Sequence, residues 1–177
     1  MAIEIPGLGL VVLSPALGGY VSVPTSVPAL GPAWRTFVLA GYDDDRKKED
    51  FHEAIHNFRT LSQQALTETE PYLVKYLNDC NQNWTTDDEE YIALQSSAHV
   101  WNHVQLGTEP VVSRRHRGDN KVYVSLECGC DWEPEHGLQL VFRDGNHICK
   151  VGAYDGHLTN ADAYARPELE NVVYREV

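Results

Sequence analysis

The chain has 177 residues, of which 42% are hydrophobic, 10% aromatic and 23% charged, and its formal net charge is −12. That is enough apolar material for a domain-sized core and too much for wholesale disorder. The charge disfavours nucleic acid and anionic membrane surfaces as partners, because both are bound through clustered Lys and Arg, and only Arg114, Arg115 and Arg117 cluster here, in what reads as a solvated turn.

The acidity is uneven. Residues 43–91 hold 13 acidic and 5 basic side chains, residues 92–177 hold 12 and 8, and residues 1–42 are neutral. Such a middle segment suits a basic protein partner or a divalent cation, or serves solubility alone. The N-terminus, Met-Ala-Ile-Glu-Ile-Pro, lacks the basic and apolar regions of a signal peptide. The apolar stretch 8–30 is interrupted by Pro15, Gly18, Gly19, Pro24 and Pro28, which rules it out as a membrane span. The expected location is therefore the cytoplasm, where Cys80, Cys128, Cys130 and Cys149 stay as thiols.

In chain order, residues 3–13, 20–23 and 34–39 read as strands, with prolines at the turns between them: an N-terminal β-meander. The acids Asp43, Asp44 and Asp45 signal a helix start, and Phe51, Ile55, Phe58 and Leu61 then recur at helical spacing to about Ala65. Thr69-Glu70-Pro71 reads as a second start, followed by the stripe Leu73, Tyr76, Leu77 and Cys80. Thr86-Asp87-Asp88-Glu89 matches a capping box ahead of a short helix over residues 91–94. Strands return at 109–115 and 121–127 around the turn at 117–120, and at Leu138–Arg143 and 147–151 around Asp144-Gly145-Asn146. Strands, then helices, then strands predict an α+β fold. It has two to three central helices and a mixed-order antiparallel sheet with helices on one face. The chain reads as one domain: 1–42 β-rich, 43–103 helical and acidic, 104–160 β-hairpins, and 161–177 a tail.

Reactive side chains concentrate between 128 and 157. Cys128, Cys130, His136, His147 and Cys149 are zinc-type donors, but Cys-x-Cys with His-x-Cys departs from the usual zinc-ligand spacings, so no cofactor is expected and zinc stays a minor alternative. Glu133 or Glu135 with His136 offers an acid–base pair, and Cys130 beside His136 offers a nucleophile; the weak catalytic candidates are Glu135 and His136. The segment contains no nucleophile elbow, HExxH, P-loop or GxGxxG. Structural roles compete throughout: Trp132 as a loop anchor, Gly137 and Gly145 at positive φ, Asp155 as an acceptor of backbone N–H groups. His52 with His56, and His99 with His103, lie four residues apart, each pair without an evident third ligand.

The run Cys130-Asp131-Trp132-Glu133-Pro134-Glu135-His136-Gly137-Leu138, with the later Val151-Gly152-Ala153-Tyr154-Asp155-Gly156-His157-Leu158-Thr159-Asn160, resembles a family of bacterial domains of unknown function marked by C-D-W-x-x-E-H-G-L and a later D-G-H. The resemblance spans roughly the last 60 to 75 residues and implies an immunity- or antitoxin-like module. On it, Asp131, Trp132, Glu133, Glu135, His136, Asp155 and His157 are the candidate binding residues. The leading expectation is a non-enzymatic interaction module with an acidic binding surface for a basic protein. The alternatives are a metal-dependent or Cys/His hydrolytic enzyme centred on 128–157, and a small-molecule binding module with a pocket bordered by Trp132 and His136. Oligomeric state is left open.

Overall fold

The computed structural model describes residues 1–175. The fold is α+β. Its strands are β1 (Ala2–Ile5), β2 (Gly9–Ser14), β3 (Gly19–Ser22), β4 (Thr25–Ser26), β5 (Trp34–Arg35), β6 (Val38–Ala40), β7 (Val104–Gln105), β8 (Val111–Arg114), β9 (Val122–Cys130), β10 (Leu138–Arg143) and β11 (His147–Gly152). The helices are α1 (Lys48–Arg59), α2 (Gln63–Asn81) and α3 (Asn160–Tyr164). Strand order in the main sheet is β1-β2-β3-β6-β8-β9-β10-β11, with β7 on β9. No helix among the described residues is long and apolar enough to cross a membrane.

The chain forms two compact units. The first comprises Met1–Ser62, Gly107–Leu126 and Phe142–His147; the second comprises Gln63–Leu106, Glu127–Val141 and, among the described residues, 148–175.

In the first unit a meander forms, β1 to β2 to β3 all antiparallel, but residues 3–13, read as one strand, fold back at 6–8 into the two paired strands β1 and β2. Residues 34–39 do not make one strand. Trp34–Arg35 pairs with Thr25–Ser26 in a separate ribbon, while Val38–Ala40 joins β3. Strand β6 then pairs in parallel with β8, the exception to the antiparallel expectation. The helical stretch between them supplies the long crossover that a parallel neighbour needs. Helix α1 buries Phe51, Ala54, Ile55 and Phe58. Phe58 meets Phe37 and Phe142 edge-on at 6.0 and 5.5 Å, and Phe51 meets Tyr42 at 5.4 Å. The Asp144-Gly145 hairpin tip rests on the α1 backbone. A Cβ on Gly145 (φ +83°) would lie 2.0 Å from the Ala54 carbonyl oxygen, so no other residue fits that turn.

Asp45 does not cap α1, whose N-cap is Lys47 without a side-chain bond. It binds Arg114, which is buried rather than part of a solvated turn. All five guanidinium N–H groups are used: two on Asp45 (2.6 and 3.0 Å), one on Asp50 (2.8 Å), and one each on the Asn120 and Lys47 carbonyls. Arg114 and Asp45 keep only 6% and 5% of their side-chain surface exposed.

In the second unit, α2 begins at Gln63 and carries Pro71 in its interior, so the second helix start expected at Thr69 is absent. Leu66, Thr69, Leu73, Tyr76 and Leu77 form one buried stripe through the proline. Burial of that stripe outweighs the roughly 3 kcal/mol that an internal proline costs. The short helix expected at 91–94 does not form either. The Asn81 side chain takes both backbone groups of Ile92, donating to its carbonyl at 2.9 Å and accepting from its N–H at 3.2 Å. The expected capping box Thr86–Glu89 is replaced by a turn one residue earlier, in which the Asp88 carboxylate accepts from the Thr85 N–H and hydroxyl, and no helix grows from it.

The Arg114–Asp45 pair predicts an acid-sensitive first unit. Arg114 holds the Asp45 carboxyl below its ordinary range. The native state therefore binds that proton more weakly than the unfolded chain, and the gain is complete above the usual carboxyl pKa near 3.8 and lost as pH falls through the lower native value. Urea denaturation should show Arg114→Leu losing about 3–5 kcal/mol at neutral pH, because Asp45 is left buried and unpaired. A loss below 1 kcal/mol would show the pair to be dispensable.

Candidate functional site

The second unit brings most of the 128–157 cluster together. At the end of β9 alternate residues turn inward, so Cys128 and Cys130 are both buried, at 6% and 3% exposure. The Cys130 thiol donates to the Glu133 carbonyl at 3.8 Å, and burial pushes its pKa up to about 12. Cys80 on α2 is likewise pushed up by burial, to about 11. Cys149, on β11, is buried and donates to the Val141 carbonyl at 3.3 Å. Thiols raised in this way, as Cys130 and Cys80 are, stay protonated and are poor nucleophiles.

Residues 131–137 form a tight loop. Trp132 is buried and packs edge-on against Tyr76 of α2, ring centroids 5.8 Å apart; its indole N–H has no hydrogen-bond partner. The Glu133 carboxylate turns back on its own loop and accepts from the Glu135 and His136 N–H groups at 3.2 and 3.3 Å, with His136 Nδ1 3.5 Å away. Gly137 closes the loop at φ +62°, where a Cβ would lie 2.6 Å from the Cys128 carbonyl oxygen. The Tyr76 hydroxyl donates to the Gly137 carbonyl at 3.1 Å. Asp131 points elsewhere, to His103 Nδ1 at 3.0 Å and Gln105 Nε2 at 2.8 Å.

Across β10 and β11 lies a group that sequence reasoning missed. Lys150 is 2% exposed. Its ammonium donates to Gln139 Oε1 at 3.0 Å, to the His157 carbonyl at 3.1 Å and to the Asp155 carboxylate. Burial pulls its pKa below the ordinary lysine value, and Asp155 pulls in the opposite direction. Asp155 also accepts the His157 N–H at 2.8 Å, which sets the turn, and has His157 Nδ1 at 3.3 Å. The signal was legible in principle: a lone cation inside the apolar strand Ile-Cys-Lys-Val, with a glutamine on the preceding strand.

Lys150 and Asp155 open onto a cleft of about 330 Å³, bordered also by Tyr76, His136, Tyr154, Asn160, Tyr164, Tyr174 and Arg175. Residues from 160 onward complete it. Asn160 donates to the Val172 and Val173 carbonyls, and the Tyr174 hydroxyl donates to Asp79 at 2.6 Å. Of the sequence candidates, His136 and Asp155 border the cleft. Trp132 and the cysteines sit in the core instead, and Asp131 pairs with residues on the other side of its loop. His157 is exposed beside Asp155, and His147 is exposed at the start of β11 in the first unit. Of the remaining histidines singled out, His52 bonds the Tyr42 hydroxyl at 2.8 Å, and His99 with His103 falls on a 3-10 turn (Ser97–His103), where a four-residue spacing does not share a face.

Glu133, Glu135 and His136 are the one set among the described residues whose donor atoms fall within 4.8 Å of one another, and the latter two are exposed. The five Cys and His residues considered for zinc form no such set.

The chain belongs to a family defined by a domain of unknown function, DUF6985, whose family model matches residues 10–158. The match takes in the motif-bearing loops and extends far beyond the last 60 to 75 residues, across the N-terminal sheet as well. No curated protein and no solved structure matches the chain.

The thiol environments make a direct prediction. In the folded chain a disulfide reagent such as DTNB should leave Cys128, Cys130 and Cys149 unmodified, with Cys80 reacting slowly, and all four should react at once in urea. Prompt modification of Cys130 in the folded chain would instead mark it as an activated nucleophile.

Proposed function

We propose that this chain is a non-enzymatic binding module that takes a basic protein partner on an acidic surface, in the manner of the immunity proteins its C-terminal motif resembles, and that it works in a reducing cytoplasm. The observation that carries the reading is the loop of residues 82–96. It joins α2 to the following 3-10 turn without regular secondary structure. Connections of that length inside a compact unit are commonly functional or disordered, and this one is anchored by Asn81 at Ile92.

The loop carries Asp87, Asp88, Glu89 and Glu90 and contains no Lys or Arg. All four acids are exposed, and Trp84 beside them is 42% exposed. Exposed tryptophan is a frequent energetic anchor of protein interfaces, and one-signed charge around it speeds encounter with an oppositely charged partner and selects against like-charged ones. The buried, protonated thiols and the structural use of Trp132, Gly137 and Asp155 count against the hydrolytic alternative. The free cysteines suit a reducing compartment.

The test is retention of a basic protein from host lysate on the immobilised chain. The native chain should hold it at low salt and release it as the Debye length shortens toward 3 Å at about 1 M. Trp84→Ala combined with D87N, D88N, E89Q and E90Q should lower retention at least tenfold with an unchanged melting temperature. Equal retention by the variant would remove the loop as the interface, and no retained protein at low salt would overturn the reading.

A further inference from the structure

The cleft of the second unit has features that partner binding leaves unexplained. Its charged side chains are Lys150, Asp155 and Arg175. Asp155 neutralises Lys150 at contact distance, and Lys150 already donates three hydrogen bonds. Among the described residues lining the cleft, the remaining charge is the Arg175 guanidinium. The Arg175 guanidinium carbon lies 3.9 Å from the centroid of the Tyr164 ring, a cation–π contact at the cleft edge.

Two further observations define what such a cation would face. Tyr154 and Tyr164, both on the cleft lining, are 42% and 44% exposed, among the most exposed large side chains of the second unit. Exposed aromatic rings beside a concavity are stacking surfaces for a flat ligand, whereas scattered surface tyrosines have no concavity to serve. The inner wall is fixed: Tyr76 is held by its bond to the Gly137 carbonyl, and Lys150 by its three acceptors. At about 330 Å³ the cleft falls at the small end of ligand sites, metabolite rather than cofactor size.

We propose that this cleft binds a small planar anion, an aromatic or heteroaromatic ring carrying one carboxylate or phosphate, with the ring against Tyr154 and Tyr164 and the anionic group on Arg175. The guanidinium fork matches both oxyanion groups bidentately, and the Lys150–Asp155 pair forms the polar back wall. This ligand site is separate from the 82–96 loop and does not rest on the partner reading.

The experiment is titration of the full chain, followed by amide chemical shifts, with uridine 5′-monophosphate and with 4-hydroxybenzoate; uridine and inorganic phosphate are the controls lacking charge or ring. At least one of the two ring-bearing anions should bind with a Kd below about 1 mM and shift resonances of residues 150–164; uridine and phosphate should bind at least tenfold more weakly. Which anion binds better separates the phosphate source from the carboxylate source. Arg175→Gln and Tyr164→Ala should each weaken binding at least tenfold, and Arg175→Lys, which keeps the charge, severalfold. Far-UV circular dichroism and melting temperature check that these variants fold, and the Trp84 loop variant should bind the anion as the native chain does. Absence of shifts with either anion at about ten times that Kd, or equal binding by folded Arg175→Gln, would overturn the proposal.

Discussion

Lys150 carries an ammonium group into an interior where 2% of the residue is exposed, and the second unit is arranged around satisfying it. An unpaired ion there would cost several kcal/mol in lost hydration, so each of its three protons needs an acceptor. Gln139 comes from the preceding strand, and Asp155 and the His157 carbonyl from the loop that follows β11. That loop is thereby drawn over the charge, and the same Asp155 carboxylate shapes its turn through the His157 N–H. The cleft exists because the loop is fixed in this position. The adjacent Thr159 side chain then caps α3 through the Asp162 N–H, and Asn160 ties the returning chain at Val172 and Val173.

The chemistry-bearing residues of the C-terminal motif divide by what they touch. Trp132, Gly137 and the buried thiols answer to packing: an edge-on contact with Tyr76, a positive φ against the Cys128 carbonyl, apolar surroundings that keep sulfur protonated. Glu133 stabilises its own loop. The acids and Trp84 of the 82–96 loop and the Tyr154 and Tyr164 rings at the cleft face solvent.

How much of this was legible depends on the range of the deciding interaction. The Asp144-Gly145 hairpin, the meander and the amphipathic face of α1 follow from local pattern and turn chemistry, and all three are present. The loop roles of Trp132 and Gly137 were readable for the same reason. Pro71 misled because its local signal is a helix start, whereas a stripe from Leu66 to Leu77 carries the helix through it. The residue 91–94 helix failed because Asn81, ten residues earlier and more, claims the backbone of Ile92. Arg114 read as part of a solvated turn and Lys150 drew no reading, because the carboxylates that hold them, Asp45 and Asp155, are matched to them only by the fold. Charge runs conceal this most effectively: among Asp43, Asp44 and Asp45, only the last is taken inside with Arg114.

Asp155 belongs to the architecture through its ion pair with Lys150. A double-mutant cycle between Lys150→Met and Asp155→Asn, read by urea denaturation, tests it most directly. Asp155→Asn, which strips the buried ammonium of its counter-ion, should cost about 3–5 kcal/mol. Lys150→Met, which leaves a carboxylate 35% exposed to water, should cost less, about 1–2 kcal/mol. The double variant should be more stable than the sum of the two losses by about 1–3 kcal/mol. Single variants within about 0.5 kcal/mol of the native chain, or strictly additive losses, would contradict it.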